Sequence, residues 1–225
     1  VVRQLQGPTR FVEGAVLAGR AATVVVDEAR TFEADLVIVG SRGHGTIGEL
    51  VLGSVSSEIV DHARCPVLVA RRPAVARILL ASDGSPSARA AEEVVAGWSI
   101  FRDLPIRVVS VADVVRPWHS GIAPSMYGQV LDLYGKDLKA AGDEARRITV
   151  EAVGRLRQAG CDAEPDPRSG DAAAEIIAAT DSWGADLVVL GSRGRSGLTR
   201  VLLGSVARNV AHGSTASVMV VHEPA

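Results

Sequence analysis

Residues 34–43 read Ala-Asp-Leu-Val-Ile-Val-Gly-Ser-Arg-Gly, and 151 positions later residues 185–194 read Ala-Asp-Leu-Val-Val-Leu-Gly-Ser-Arg-Gly. In each copy a Gly-Ser pair follows after nine further residues, at 53–54 and at 204–205. Of the 24 positions from residue 34 to residue 57, 12 are identical in the second copy. The repeat therefore predicts a doubled fold with two small domains rather than one large domain.

Each copy has the pattern of a strand-to-helix turn that holds phosphate. A short apolar run predicts a buried strand, glycines follow it, and Gly-Ser opens the next helix. Glycine lets the backbone approach an anion, and the N–H groups at a helix start point toward it. Close helix–strand packing also favours glycine, and Ser54 and Ser205 could be helix caps. Because both copies keep both glycine pairs and the serine, phosphate binding is the favoured interpretation.

Composition limits the function classes. The chain of 225 residues is 47% hydrophobic and 22% charged, with a formal net charge of −2, which is ordinary for a well-packed globular protein. This charge offers no basic field for nucleic acid or an anionic membrane, and no apolar run approaches the roughly 20 residues that span a bilayer. Cys65 and Cys161 occupy non-equivalent places in the repeats. They predict buried thiols rather than a disulfide or metal site, which fits a cytoplasmic location.

The second copy predicts strands that alternate with helices. The expected strands are residues 77–82, 106–112, 161–164, 186–190 and 217–221, and the expected helices are residues 88–98, 127–158, 171–182 and about 198–212. This alternation predicts parallel pairing, with helices on both faces of one sheet. In such sheets a ligand lies beyond the carboxyl ends of the strands, where the strand order reverses. Asp83-Gly-Ser and Gly191–Gly194 both follow strand ends of this kind.

The first copy predicts only the later half of such a domain. It offers a helix end at residues 1–6, a strand at 10–13, a helix at 20–33, and strands at 36–39 and 67–70. Val1 aligns with Ala152, so the counterpart of residues 77–151 is absent. We expect residues 1–72 to be the C-terminal half of a first domain and residues 77–225 to be a complete second domain. The chain is then either part of a longer tandem protein or one that begins here naturally.

Two other nucleotide motifs do not fit. Gly43-His-Gly45-Thr-Ile-Gly48 has the spacing of a dinucleotide-binding loop, but the second copy places Ser196 and Thr199 at its second and third glycine positions. The acidic residue required about 20 residues later is also missing. No Gly-Lys-Ser or Gly-Lys-Thr sequence occurs, so there is no Walker A loop.

The doubled motif, with Asp83-Gly-Ser after the first strand and Asp-Leu-Val before each loop, resembles the universal stress protein family in its tandem-domain form. The likeness covers the whole chain. It implies an α/β fold, a doubly wound five-stranded parallel sheet in the order 3-2-1-4-5, in two copies of which the first is incomplete. It also implies ATP, or AMP or ADP, as ligand, with Mg²⁺ or Mn²⁺ as a companion ion, and a regulatory role in the stress response.

Carried over by position, the resemblance places Asp83 near the ribose and phosphates and Val111 beside the adenine. The residues implied at the phosphates are Gly191, Arg193, Gly194, Gly204 and Ser205, with first-copy counterparts Gly40, Gly43, Gly53 and Ser54. Since the first copy lacks counterparts of Asp83 and Val111, we expect one nucleotide per chain, in the second copy. The family also pairs the last strands of two domains, here Val67–Ala70 with Val218–Val221. We expect a homodimer as well.

Catalysis is not expected. The sequence shows no positioned base, nucleophile or metal triad near the phosphate motif, so any ATP hydrolysis would be slow. One alternative is a protein-interaction module of the same fold that binds no nucleotide. A less favoured alternative is a nucleotidyl-transferring enzyme. The intact glycine motifs favour nucleotide binding over the first alternative, and the missing Lys or His signature disfavours the second.

Overall fold

The computed structural model of the chain describes residues 11–41, 52–113, 127–195 and 203–223. The helices are α1 (Ala21–Thr31), α2 (Ser54–His62), α3 (Pro86–Gly97), α4 (Tyr127–Gln158), α5 (Ala172–Trp183) and α6 (Ser205–Gly213), with a 3-10 turn at Ser99–Phe101. The strands are β1 (Val37–Gly40), β2 (Val67–Ala70), β3 (Ile78–Ala81), β4 (Ile106–Ala112), β5 (Ala163–Ser169), β6 (Leu187–Gly191) and β7 (Ser217–Val221). None of these helices is long and apolar enough to cross a membrane.

Seven strands form one sheet in the order β1-β2-β7-β6-β3-β4-β5. Every neighbouring pair is parallel except β2 and β7, which are antiparallel. Counted within the second copy alone, the order is 3-2-1-4-5. The α/β class and this strand order confirm the predicted fold.

The antiparallel pair β2–β7 joins the two halves of the chain. Val67 lies opposite Val220, Leu68 opposite Met219, and Val69 opposite Val218. The side chains of β7 are all buried, so the joint lies inside the continuous sheet. The predicted pairing of Val67–Ala70 with Val218–Val221 within one chain is confirmed.

Helices cover the two faces of the sheet unequally. On one face the core includes side chains from α1, α2, α5 and α6, and on the other it includes side chains from α3 and α4. The strands β3, β6 and β7 are apolar on both faces, as expected for parallel strands between helix layers. The sheet is therefore most deeply covered around β3 and β6.

Two helix starts follow the local signals in the sequence. Ser85 caps α3 by accepting a hydrogen bond from the Ala88 N–H at 3.2 Å, and Pro86 follows in the first turn. Asp171 caps α5 through Ala174 N–H at 2.8 Å. In both cases the side-chain oxygen satisfies a backbone donor that has no partner within the helix.

The two outer strands differ in how they present their free edges. β5 carries Pro165 and Pro167, and proline cannot donate the ladder hydrogen bonds that a further strand would need. β1 has no proline, and its Ile38 side chain is 63% exposed. Within the part of the chain that the structure describes, the edge of β1 is therefore the one open to further pairing.

The strand expected at residues 10–13 does not form. Phe11–Glu13 belong to no strand, Phe11 is exposed, and Arg10 lies outside the described residues. In the 3-2-1-4-5 order this segment would lie three strand positions beyond β1, and neither of the two intervening strands is present among the described residues. A strand with no neighbour at about 4.8 Å cannot satisfy its backbone groups.

Two further boundaries differ from those expected. β5 runs from Ala163 to Ser169 rather than ending at residue 164. α6 begins at Ser205 rather than near residue 198, since Leu203 and Gly204 precede it in extended or irregular backbone. Residues 1–6 and 198–202, which carried parts of two expected helices, lie outside the described residues.

Candidate functional site

A cleft of about 530 Å³ opens at the carboxyl ends of β3, β4 and β6. β3 pairs with both β4 and β6. The helix after β3 packs on one face of the sheet and the helix after β6 packs on the other, and such a reversal point is where α/β sheets bind ligands. The lining combines polar groups from the turn after β3 and the loop after β6 with apolar side chains from β4, α4 and α5. The predicted residues that line it are Asp83, Val111, Gly191, Arg193, Gly194, Gly204 and Ser205.

Asp83 ties the turn after β3 to the glycine loop after β6. Its Oδ1 accepts a hydrogen bond from Ser85 N–H at 3.0 Å, and its Oδ2 accepts one from Arg195 N–H at 3.1 Å. A Cβ on Gly194 would lie 2.9 Å from Asp83 Oδ2. Glycine at 194 therefore allows the loop to pack directly against Asp83. The turn after β3 and the glycine loop after β6 thus form one unit.

The serines that begin α3 hold the same loop. The Ser85 hydroxyl donates to the carbonyl oxygen of Arg193 at 3.2 Å, and the Ser87 hydroxyl bonds the same carbonyl. A Cβ on Gly191 would lie 2.5 Å from Ser87 Oγ and 2.7 Å from Ala88 N. The structure thus gives Gly191 a packing role, because only a residue without a side chain lets α3 approach β6 so closely.

The helices after the two glycine loops begin alike, and neither serine is the cap. The N-cap positions are Gly53 (φ −63°, ψ 152°) and Gly204 (φ −61°, ψ 154°), and neither helix start has a side-chain cap hydrogen bond. Gly53 N–H donates to Ser41 O at 3.0 Å, and Gly204 N–H donates to Ser192 O at 2.8 Å. The reading of Ser54 and Ser205 as caps is wrong, since each is the first residue inside its helix.

Ser192 was not predicted as a site residue, although it lies within the Gly-x-x-Gly motif. It lines the cleft and is 2% exposed, and its Oγ has no hydrogen-bond partner in the described part of the chain. A buried hydroxyl without a partner is costly. The cleft therefore contains a polar atom that a ligand could satisfy.

A charged group from α4 also reaches the cleft. Glu144 lines it and pairs with Arg195 of the glycine loop at 3.2 Å and with Arg147 at 2.8 Å. The hydrogen bond from Arg147, with its positive charge and that of Arg195, lowers the pKa of Glu144 below its ordinary value. The sequence carried no signal for Glu144, which lies inside a long charged helix. Arg195 directly follows Gly194, so the motif could have drawn attention to it.

The first-copy residues lie in the other half of the sheet and not in this cleft. Gly40 ends β1, Gly53 precedes α2 and Ser54 begins it, whereas Gly43 lies outside the described residues. Ser56 donates its hydroxyl hydrogen to Gly40 O at 2.7 Å. The described residues of this half form no strand in the places of β3 and β4, so Asp83 and Val111 have no counterparts among them.

The other candidate groups are the metal-ligating side chains and the two cysteines. Among the described residues, no group of three or more His, Cys, Asp and Glu side chains is placed to hold a metal ion. Cys65 and Cys161 are both free thiols. Burial raises the pKa of each above its ordinary value.

Comparison with known sequences gives the family. The profile of the Universal stress protein family matches residues 1–71 and again residues 75–222. The universal stress protein Rv2005c of Mycobacterium tuberculosis is 33% identical over 207 residues, which cover 85% of this chain and 63% of that protein. The universal stress protein Mb2019 of Mycobacterium bovis is 29% identical over 231 residues, covering 97% of this chain and 68% of that protein. The chain thus spans about 63% of the length of the first of these relatives.

Comparison with solved structures gives the same fold. The protein PA1789 of Pseudomonas aeruginosa PAO1 matches with a TM-score of 0.60 at 16% identity, covering 92% of this chain and 69% of that one. A universal stress protein of Archaeoglobus fulgidus matches with a TM-score of 0.55 at 20% identity, covering 90% and 65%. At these identities the likeness concerns the fold alone. With two family matches that together span most of its length, the chain belongs to the universal stress protein family.

Proposed function

We propose that the chain binds ATP in the cleft beside β3, β4 and β6 and acts as a regulatory protein of the stress response rather than as an enzyme. The observation that carries the proposal is the meeting of Asp83, the glycine loop and the uncapped start of α6 in one cleft. Each of these suits one part of a nucleotide.

The start of α6 suits the phosphates. The first N–H groups of a helix have no acceptor within it and carry partial positive charge. At Ser205 and Val206, no described side chain accepts from these groups. Gly194 and Gly204 carry no side chain that would keep an anion from the backbone, and Arg193 lines the same region. This set of donors supports an anionic ligand.

The wall formed by β4, β6 and α5 suits a purine base. Val111, Leu190 and Ile176 line the cleft there, and an apolar wall with a few polar groups is typical of small-molecule sites. The volume of about 530 Å³ also falls within the range of such sites. By the family resemblance, the adenine would lie near Val111 and the ribose near Asp83.

A regulatory role follows from the elements that bound the cleft. Side chains of α3, α4, α5 and α6 all line it, so a bound nucleotide would contact four helices and can change how they pack. Mg²⁺ or Mn²⁺ would enter with the phosphates. An interaction module that binds no nucleotide is the alternative to this proposal.

The proposal includes a homodimer. β1 is an end strand with an open edge, and Ile38 is exposed on its uncovered face. Unpaired strand edges and exposed apolar faces favour association. The molar mass of the full chain, measured by light scattering, tests this part, with twice the chain mass expected.

The experiment that tests nucleotide binding uses the purified full chain. Heat denaturation followed by mass analysis of the released small molecules should yield an adenine nucleotide. Calorimetric titration of nucleotide-free protein should then give one site for ATP and weaker binding of GTP, because the family resemblance implies an adenine beside Val111. Finding no released nucleotide and no heat of ATP binding would contradict the proposal and favour the interaction module.

A further inference from the structure

Glu144 and Arg195 form an ion pair at the cleft, between two segments that lie far apart in the sequence. Arg195 Nη1 lies 3.2 Å from Glu144 Oε1, across a separation of 51 positions. Both residues line the cleft, Glu144 from α4 and Arg195 from the glycine loop. The pair therefore connects the longest helix to the loop on which the proposed phosphate site is built.

The Glu144 carboxylate of this pair is also held by a second arginine on the same helix. Arg147 donates from Nε to Glu144 Oε2 and from Nη2 to Oε1, both at 2.8 Å, and it also pairs with Glu151 at 2.6 Å. A two-point bond between guanidinium and carboxylate is among the strongest side-chain arrangements. Glu144 is thus fixed and ionised whether or not Arg195 stays with it.

Arg195 is fixed at its backbone and free to exchange partners at its side chain. Its N–H donates to Asp83 Oδ2 at 3.1 Å, which keeps the residue at the cleft. Its guanidinium is 56% exposed and its pair with Glu144 is largely open to water. Exposed pairs are weak, so an arriving phosphate can compete with the carboxylate.

The charges around the cleft determine how strongly this competition affects ligand binding. Among the described residues, the cationic residues that line it are Arg193 and Arg195, whereas the acidic residues are Asp83, Asp113 and Glu144. Within this set, polyphosphate meets more negative than positive side chains while Arg195 is engaged. The electrostatic cost of binding rises with the negative charge of the ligand and disappears for an uncharged nucleoside.

We propose that Glu144 determines which ligands the cleft prefers, by occupying Arg195 and so weakening the binding of ATP relative to adenosine. This rests on the proposed function. Polyphosphate displaces the Glu144 carboxylate from Arg195 when it binds, while Glu144 remains with Arg147. The exchange couples occupancy of the cleft to the position of α4.

The test is calorimetric titration of the full chain with ATP and with adenosine. We expect Glu144→Gln to bind ATP about threefold to fivefold more tightly, the range for a surface ion pair, with unchanged affinity for adenosine. Glu151→Gln is the matched control, because it removes the same charge from the same helix and the same arginine but does not line the cleft. It should leave both affinities unaltered.

A double-mutant cycle tests whether Glu144 acts through Arg195. Arg195→Gln should weaken ATP binding, and in that background Glu144→Gln should give less than half of its gain. An unchanged ATP affinity in Glu144→Gln, an equal gain in Glu151→Gln, or an equal gain for adenosine would each overturn the inference while leaving the proposed function intact. Absence of ATP binding to the unaltered chain would instead overturn the proposed function, and this inference with it.

Discussion

The Nε2 atom of His222 lies 3.0 Å from the carbonyl oxygen of Val60, so the end of β7 contacts α2 across the joint between the halves. The reciprocal contact also exists, since Arg71 Nη2 donates to Ala211 O at 2.6 Å. Arg71 aligns with His222, and Val60 aligns with Ala211, at the spacing of the repeat. The joint therefore has the self-complementary form of a two-fold interface, built within one chain.

This contact predicts that acid weakens the joint. Burial lowers the pKa of His222 below its ordinary 6.5, with the Val60 carbonyl and Asp61 opposing the shift and Arg193 adding to it. Because the folded state favours neutral His222, its contribution is present above about pH 6.5 and is lost as pH falls through the lower folded value. We expect the thermal midpoint to drop between pH 7.5 and 5, and less so in His222→Gln. The exposed His62→Gln serves as control, and an equal drop in all three proteins would contradict this prediction.

The pairing of β2 with β7 predicts a sensitive position at Met219. This side chain is 1% exposed and lies opposite Leu68. Met219→Lys would bury an unpaired ammonium group and should reduce the free energy of unfolding by at least about 3 kcal/mol. Val150→Lys, at a position 56% exposed on α4, should change it by less than about 0.5 kcal/mol. Thermal and denaturant unfolding measure both, and similar midpoints for the two variants would count against a buried joint.

The glycine loop predicts a loss of ATP binding in Gly194→Asp. The new Cβ would press on Asp83 Oδ2, at 2.9 Å, and the carboxylate would add negative charge where phosphate is proposed. Losing one or two charge-assisted hydrogen bonds lowers affinity roughly tenfold to several hundredfold. Gly97→Asp is a control, since a Cβ there meets nothing within 4 Å. Calorimetric titration that gives equal affinities for the two variants would remove the loop from the site.

The first glycine loop predicts the opposite result. Gly53 and Gly204 share one backbone conformation, but only the second has β3 and β4 beside it. Gly53→Asp should therefore leave both the ATP affinity and the stoichiometry of one per chain unchanged, because phosphate donors alone supply no wall for adenine. A stoichiometry near two in the unaltered protein that falls to one in this variant would show that the first loop also binds.

A buried ion pair behind the site predicts a stability effect. Glu92 is 4% exposed; it accepts hydrogen bonds from Ser82 Oγ at 2.9 Å and from Arg155 Nε at 2.8 Å. Arg155→Met would leave this carboxylate buried without its cation. Since Arg155 is 37% exposed, we expect a loss of about 2 kcal/mol, below the range for fully buried pairs. Adding Glu92→Gln should restore part of it, and purely additive losses in denaturant unfolding would contradict this coupling.

Local sequence patterns predicted most elements of the fold. β4 and α4 have the expected bounds, and the caps Ser85 and Asp171 lie directly before their helices. These features depend on neighbours within a few residues, so periodicity and capping chemistry suffice to find them. β5 extends beyond residue 164 through Pro165 and Pro167. Prolines disfavour an interior strand, and the position of β5 at the sheet edge makes them acceptable.

The sequence by itself determined the doubled glycine motif, the strand order that its family carries, and the residues gathered at the second loop. The tertiary structure decided which distant groups meet there. Asp83 bonds the Arg195 N–H across 112 positions, Glu144 reaches Arg195 across 51, and His222 reaches Val60 across 162. Such contacts cannot be predicted from the periodicity of the sequence, because the crossover connections and the antiparallel joint bring together residues that lie far apart along the chain. The glycines allow the loop to approach its neighbours closely, and the order of the strands in the sheet determines which residues those neighbours are.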